Sequence, residues 1–483
     1  MRSPARLTAG TIVLDVGKTN TKVSLWDEQG RVINRWTRAN DPRVGSGYRV
    51  LDVQGIDPWL MESLAACARE GRVSRIIPVG HGAAAALIRD GRLFVDSMDY
   101  EEPVGEAERS VYAAQRDPFT LSGSPFLPGA LNLGMQLHRV ESLHGPLPAD
   151  VAILPWPQYW AWRLCGVMAS EVTSLGCHSD LWRPMAGGFT DLAVRRGWAE
   201  RMAPLRQAGE TLSTVTRDVV ASTGLPPDCE VVCGLHDSNA ALLASRAHTE
   251  IARHDATVLS TGTWFVAMRS LVPGAAFDGR LVERRDCLIN VDVHGRAVPS
   301  ARFMGGRDAQ ILRGVDAHAP AAREAADALM RRLSGLLAED VGAYPSVVPG
   351  VGPFPDAAGS TRNLTGDPVD RHIITGLYLA MMTDTSLGLI ESTGTLLVEG
   401  PFADEAVFVR ALAALRPHQH VYTCDARNDL AYGALRLAAP DLAPPAGLVR
   451  VEPLAIDIRA FADDWRRHAR GGQDAAHGCP SGS

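Results

Sequence analysis

Residues 11–27 read TIVLDVGKTNTKVSLWD. Ile12-Val13-Leu14 is a short, wholly apolar run that ends in Asp15, and Val23, Leu25 and Trp26 resume the pattern beyond a small turn. That turn, Gly17-Lys18-Thr19-Asn20-Thr21, is small, hydroxylic and basic, which predicts a β-hairpin bent around an anion. Consecutive backbone N–H groups in such a turn form a concave anion nest, and Thr and Lys side chains add donors and charge. Asp15 then faces the same anion from the end of a buried strand. A carboxylate beside a phosphate calls for a cation between them, and hydrated Mg²⁺ suits that place. The same residues also describe an ordinary tight hairpin with two solvated lysines. Composition weighs against the plainer reading: of 48 Lys and Arg residues only two are Lys, Lys18 and Lys22, and both lie in this hairpin. Arg fills every other basic position, so a compact ammonium is wanted here.

A chain of 483 residues is long enough for two or three domains with sizeable cores. Its 46% hydrophobic and 21% charged residues are those of a soluble globular protein. A net charge of −7 without a basic stripe argues against general nucleic-acid binding. The eight cysteines form no CxxC pair, and Cys229 and Cys233 have no partner pair at zinc-finger spacing, so they read as reduced thiols of a cytoplasmic protein. The N-terminus imitates a signal peptide, but its apolar run is short and broken by Asp15, so it reads as a first strand. The apolar segment Ile373 to Ile390 contains Asp384 and several threonines, which predicts a buried helix and no membrane span.

Outward from the hairpin, Gln29-Gly30 turns the chain into a third strand, Arg31 to Arg38. Asp57-Pro58-Trp59 predicts a helix start, with Asp as cap and Pro in the first turn. Ile76-Ile77-Pro78-Val79 is a strand ending in Gly80-His81-Gly82, either a substrate edge or a loop in which His81 is satisfied locally. Trp156, Tyr159 and Trp160 open a helix that Gly166 stops; they stack on a ligand or fill the core, and core packing is the default. Val231-Val232-Cys233 delivers Gly234-Leu235-His236-Asp237-Ser238-Asn239 into a helix. Asp237 is there an N-cap, or a carboxylate at the C-terminal edge of a sheet, where ligands bind in α/β folds. At Ala256 the opening pattern restarts, with Thr257 to Ser260, a turn Thr261-Gly262-Thr263-Trp264, and Phe265 to Met268. The echo predicts a duplicated domain. A long helix from Asp370 to Ser392, a strand Leu396 to Glu399, the turn Gly400-Pro401-Phe402 and a helix from Asp404 to Leu415 follow. The expected organisation is an extension over 1–9, domains over 10–247 and 248–441, and a C-terminal segment over 442–483 with a disordered end.

Asp15-x-Gly17-x-Thr19-x-x-Lys22, Gly80-His81-Gly82, Gly234-Leu235-His236-Asp237, Ser260-Thr261-Gly262-Thr263-Trp264 and Gly400 occur in one order. That order resembles the FGGY carbohydrate kinases, of the actin, Hsp70 and hexokinase superfamily, over residues 10 to 440. The SGTW-like turn, and Tyr159 to Gly166 followed by Glu171-Val172-Thr173-Ser174, are similar to the rhamnulose and fuculose kinases of that family. The resemblance implies an α/β protein of two ribonuclease-H-like, actin-like ATPase domains, with ATP and a small sugar meeting in a cleft. It implies that Asp15 holds the hydration shell of Mg²⁺, with Asp237 as the second carboxylate near the metal. Gly17, Lys18, Thr19, Asn20, Thr261, Gly262 and Thr263 would line the phosphates, and Gly400, Pro401 and Phe402 the adenosine. Lys22 would lie near the transferred phosphoryl group, and Asp237 would take the sugar hydroxyl proton. His81, Asp99, His236 and Asn239 are the candidates for sugar contacts. The chain departs from the family at Gly400-Pro401, where relatives carry two or three glycines, and in its sugar loop, which offers little polar side chain beyond His81.

Phosphoryl transfer needs in-line positioning, charge neutralisation and a proton acceptor, and these residues supply all three. An actin- or Hsp70-like ATPase and a sugar-binding regulator without catalysis are the alternatives; the retention of Asp15 and Asp237 argues against the second. The expected partner is a small-molecule sugar, with no nucleic acid and no membrane. A homodimer is compatible with the sequence.

Overall fold

The computed structural model describes residues 7–45, 47–272, 274–314, 326–424 and 430–477. The chain divides into two compact units, the first made of Met1–Ala247, Ile289–Ala297 and Asp429–Ala443, the second of His248–Leu288, Val298–Asn428 and Pro444–Ser483.

The first unit is built on the apolar run that opens the sequence. Strand β1 (Leu7–Val16) pairs antiparallel with β2 (Asn20–Trp26), which pairs antiparallel with β3 (Val32–Ala39). On its other side β1 runs parallel to β4 (Gly71–Gly80). Beyond β4 lie β5 (Thr211–Thr214), antiparallel to β6 (Glu230–Val232), and the short β7 (Leu235–His236); β6 and β7 both run parallel to β4. The order is β5-β6-β4-β1-β2-β3, with β7 paired to β4 off this path.

Central parallel strands must be apolar on both faces, and Ile12, Val13 and Leu14 are fully buried. One face packs with helices α1 (Val53–Glu70) and α2 (Trp156–Cys165), which bring Leu60, Leu64, Trp160 and Leu164 into a common core with Ile12 and Leu14. The other packs with α3 (Asp237–Ser245) and α4 (Leu430–Ala438), whose Ala240, Ala244, Tyr432 and Leu435 meet Val13 and Ile77. Helix α1 starts earlier than Asp57-Pro58 suggests: Asp52 is its cap, accepting from Gly55 N–H, and Pro58 lies inside the helix. The Arg38 guanidinium, 2.6 Å from the Asp52 carboxylate, fixes that residue as the cap.

The second unit repeats this topology. Strand β8 (Ala256–Ser260) pairs antiparallel with β9 (Phe265–Ser270), and β11 (Ala297–Phe303) extends the sheet beyond β9; β10 (Cys287–Val291), which precedes β11 in the chain, passes at Ile289 into the residues of the first unit. On the far side β8 runs parallel to β12 (Thr395–Glu399), β12 parallel to β13 (His420–Cys424), and β14 (Leu448–Arg450) closes the edge. A first strand with an antiparallel meander on one side and parallel strands on the other is the ribonuclease-H-like arrangement in both units.

The apolar segment expected as a buried helix is α6 (Pro368–Leu389), capped by Asp367, preceded in this unit by α5 (Gly305–Arg313) and followed by α7 (Ala406–Leu415). Among the described residues no helix is long and apolar enough to cross a membrane. Within the C-terminal segment lies helix α8 (Arg459–His477). Its Trp465 is fully buried in the core of this unit, with the indole N–H donating to Ala343 O at 2.7 Å. Residues 478–483 lie outside the described part.

Candidate active site

In the first sheet, Val16 of β1 stands opposite Gly80 of β4, and Gly80 opposite His236 of β7. Three parallel strands therefore end level, and the residues that follow them, Gly17, His81 and Asp237, share one edge. This register brings together motifs more than 200 residues apart in the chain.

In the hairpin, a Cβ on Gly17 would lie 2.9 Å from Asn20 O, so the turn closes only over glycine. Asn40, which the sequence did not single out, donates from Nδ2 to Gly17 O and Lys18 O at 2.8 and 3.1 Å and ties the turn to the end of β3. Thr19 is exposed, Asn20 half-buried. Asp15 is buried, and Lys22, its direct cross-strand neighbour, lies 3.5 Å from its carboxylate. Lys18, in the turn itself, is folded inward. Its ammonium lies 3.1 Å from Asp99 Oδ1, is paired with Glu101 and sits over the Tyr100 ring.

His81 follows the end of β4 and packs edge-on to Tyr100, with Trp156 behind it. Its Nδ1 is 2.9 Å from Gly82 O; a carbonyl only accepts, so Nδ1 carries the proton and Nε2 is left as a bare acceptor. Burial holds His81 below the usual imidazole range, in its neutral form. Tyr159 and Trp160 lie in the core, stacked and edge-on with Trp156, and Ala83 to Ala86 are buried too.

Asp237 is the first residue of α3, not its cap; the cap position is His236, whose side chain caps nothing. His236 Nε2 lies 3.1 Å from Asp237 Oδ1 and 3.5 Å from Cys177 Sγ, while Asn239 Nδ2 approaches its Nδ1 at 3.3 Å. Burial pushes the Asp237 carboxyl up, but His236, His81 and the Ser238 N–H together hold Asp237 below the ordinary carboxylate range. A Cβ on Gly82 would collide with Cys177 Sγ and His236 Nε2, so the Gly-His-Gly loop lies directly on this pair. Sequence reasoning missed Cys177 and Tyr100, which carry no local pattern.

The second unit carries its own turn. Gly400, with φ +90°, comes so close to Thr261 that a Cβ would lie 2.1 Å from Thr261 O, which excludes every other residue. The Thr261 hydroxyl donates to Glu399 O at 2.5 Å and accepts from Phe402 N–H at 3.2 Å. Both bonds tie the two turns together. The Phe402 ring is likewise buried, edge-on to Phe265 at 5.0 Å, so the side chain belongs to the core. Gly262 and Thr263 remain accessible, as does Pro401. Beside them stands the N-terminus of α5, unnoticed in the sequence: Gly306 N–H donates to Thr263 O at 3.2 Å, and a Cβ there would meet Gly262 O at 2.2 Å. Helix N-termini favour anions.

The comparisons with known proteins bear on both units. The family described as "Carbohydrate kinase FGGY, C-terminal domain" matches residues 253–445. A solved carbohydrate kinase from Novosphingobium aromaticivorans is 47% identical, with a TM-score of 0.92 over 96% of this chain and 99% of that one. The L-fuculokinase of Salmonella typhi is 25% identical over 275 residues, 53% of this chain and 56% of the relative; that of Escherichia coli K12 is 23% identical over 278 residues. This chain thus spans a little over half the length of the curated relatives it matches. A xylulose kinase from Lactobacillus acidophilus, 12% identical, shares the fold with a TM-score of 0.75 over 97% of this chain and 98% of its own.

Proposed function

The chain belongs to the FGGY carbohydrate kinases, and on that premise we propose that it transfers the γ-phosphoryl group of ATP to a primary hydroxyl of a ketose or deoxyketose. One observation supports this reading most. The Asp237 side chain keeps 29% of its surface exposed among buried atoms that lack a hydrogen-bond partner: His81 Nε2, Asn239 Oδ1 and Asp99 Oδ2, the last only in a long ion pair with Arg49 at 4.0 Å. A buried polar atom left unpaired is costly. All three are acceptors, and a polyol is a rack of hydroxyl donors.

Asp237 takes the proton of the attacking hydroxyl, a contribution of ~10²–10⁴-fold. His236 Nε2, 3.1 Å away, orients that carboxylate and keeps it ionised. His81, Asp99 and Asn239 hold the sugar's other hydroxyls. The backbone of Gly17 to Asn20 with Lys18 behind it, and the Gly262-Thr263 turn, are assigned to the phosphates. Lys22 adds the charge that offsets the transferring group.

The residues also fit a Mg²⁺ ion that arrives with its nucleotide. Such an ion keeps most of its waters and needs one or two carboxylates, and among the described residues no cluster of three or more His, Cys, Asp or Glu forms a protein-only metal cage. Asp15 and Asp237 would hold its water shell, and when bound it neutralises charge on the phosphate oxygens.

The names of the curated relatives and the SGTW-like turn support a 6-deoxyketose such as L-fuculose or L-rhamnulose in its keto form. Such a sugar has no hydroxyl at carbon 6, so the phosphoryl group goes to carbon 1. With Tyr159 and Trp160 in the core, one sugar methyl adds at most ~1 kcal/mol, and discrimination against the 6-hydroxy ketose is modest.

The test is ADP release from ATP and Mg²⁺ with L-fuculose, L-rhamnulose and D-xylulose type ketoses and glycerol, for the wild type and Asp237→Asn. The expected result is sugar-dependent release, greatest with a 6-deoxyketose, that Asp237→Asn abolishes while both substrates still bind within a few-fold. Release that ignores sugar would instead mark an ATPase of the actin type.

A further inference from the structure

The junction that delivers Asp237 is held by side chains from outside its own element. Gly234 turns the chain with φ +82°, so close to Pro78 that a Cβ would lie 2.1 Å from Pro78 O. Gln158, fully buried, donates from Nε2 to the carbonyls of Cys233 and Gly234, both at 3.1 Å. One turn later the His236 N–H donates to Thr173 Oγ1 at 3.0 Å. Being at the cap position, that N–H precedes the helix and has no helical acceptor.

Thr173 is itself fully buried, and its own orientation is fixed. Its hydroxyl donates to Glu171 Oε2 at 2.5 Å, and its backbone N–H donates to the same oxygen at 3.0 Å. A hydroxyl has a single proton; once that is committed to Glu171, the oxygen can only accept. It therefore suits a donor such as the His236 N–H and rejects any arrangement of the junction that turns a carbonyl towards it.

We propose that Thr173, locked by Glu171, is a positioning residue for phosphoryl transfer: it fixes the backbone at His236, so that the next residue, Asp237, presents its carboxylate where the substrate proton leaves. The inference rests on the assignment of Asp237 as the base. Neither Thr173 nor Glu171 touches substrate in it. Their effect is on where the base stands, and a misplacement of ~1 Å costs on the order of 10²-fold in rate.

The test is steady-state kinetics on the full chain, with Thr173→Val, Thr173→Ala and Thr173→Ser beside Asp237→Asn, using ATP, Mg²⁺ and the best ketose of the panel. Val and Ala remove the acceptor oxygen, and Ser keeps it. The expected result is a fall of roughly 10–100-fold in kcat for Val and Ala, with KM for both substrates within about three-fold of wild type, and a Ser variant close to wild type. Making both Val and Ala leaves one to decide if the other melts early. The proposal is overturned by an unchanged kcat in a folded Val or Ala variant, by a loss confined to KM, or by an equal loss in Ser. Failure of both Val and Ala to fold would assign Thr173 to stability alone and overturn it too. Asp237→Asn keeps the two readings apart. If it retains turnover, the base assignment falls; if it is inactive while Thr173→Val is unaffected, only the positioning role falls.

Discussion

Two lysines in one hairpin turn out to do different work, and the difference lies in what each faces. Lys22 sits on β2 directly across from Asp15, half exposed, with its ammonium 3.5 Å from the carboxylate. Water reaches the Lys22 end of this pair although Asp15 is buried, and such screening weakens an ion pair, so Lys22→Ala is expected to lower the melting temperature only slightly and to lower turnover. Lys18 is 13% exposed and neutralises Asp99, which is fully buried. Removing it leaves that buried carboxylate only the longer pair with Arg49, whose Nε lies 4.0 Å from Oδ2, at a cost of up to roughly 3 kcal/mol. Lys18→Ala is therefore expected to unfold at clearly lower denaturant than Lys22→Ala, and equal, negligible effects in both would return the pair to solvated surface. Strand alternation makes the direction of Lys22 legible in the sequence. The direction of Lys18 is not legible, because a turn residue follows its tertiary partner and Asp99 stands 81 positions away. The same limit applies to Thr261 and Phe402: each sits in the expected turn, yet its side chain is directed inward by Glu399 and Phe265.

At the scale of elements, the two hairpins β1–β2 and β8–β9 were plain in the sequence because a buried strand is an unbroken apolar run and a tight turn has its own residues. Helix α5 was not, since its Gly305-Gly306 start reads as a breaker; the glycines are there because the turn at Gly262 and the Phe265 ring leave no room for a Cβ. The same helix carries a titratable group with a measurable consequence. Asp308 is buried beneath Tyr378 of α6, whose hydroxyl donates to Asp308 Oδ2 at 3.1 Å, and burial pushes its carboxyl up from 3.8 to about 7. Below the ordinary value both folded and unfolded chains carry the proton. As pH rises from there, the unfolded chain ionises first while the folded one still holds its proton, so stability falls until about pH 7 and then levels. Asn at this position has no such window. The stability of Asp308→Asn relative to wild type should therefore improve with rising pH, by about 1.4 kcal/mol per unit at most, and then stay constant. Thermal melts of the pair at pH 5 and pH 7.5 measure this, and a gap that does not move with pH would refute the burial argument.

For the whole molecule, the repeat of the apolar-turn-apolar pattern made two similar units legible, but not how the chain is shared between them. A linear reading places a boundary after residue 247. The first compact unit also takes Ile289–Ala297 and Asp429–Ala443. The reason is packing that no local pattern announces. Helix α4, from the far end of the sequence, lies against α3 so closely that a Cβ on Gly433 would be 1.8 Å from Ala240 O. With it come Tyr432 and Leu435, which join Val13, Ile77, Ala240 and Ala244 in one core. A fragment ending at 247 keeps every strand of the first sheet but uncovers that face, including the helix that starts with Asp237. It is expected to lack a cooperative melt and to bind a dye for exposed apolar surface, whereas a fragment behaving as a native domain would show that α4 is dispensable. In the full chain, Gly433→Ala probes the same contact without removing anything. The added methyl would meet the backbone of α3 at Ala240 and Ala244, so overpacking should cost ~1–3 kcal/mol. Because the displaced helix is the one that carries Asp237, turnover should fall along with the melting temperature. A variant that loses stability but keeps full turnover would mean that α4 supports the core of the first unit and leaves the position of the base to Gln158 and Thr173.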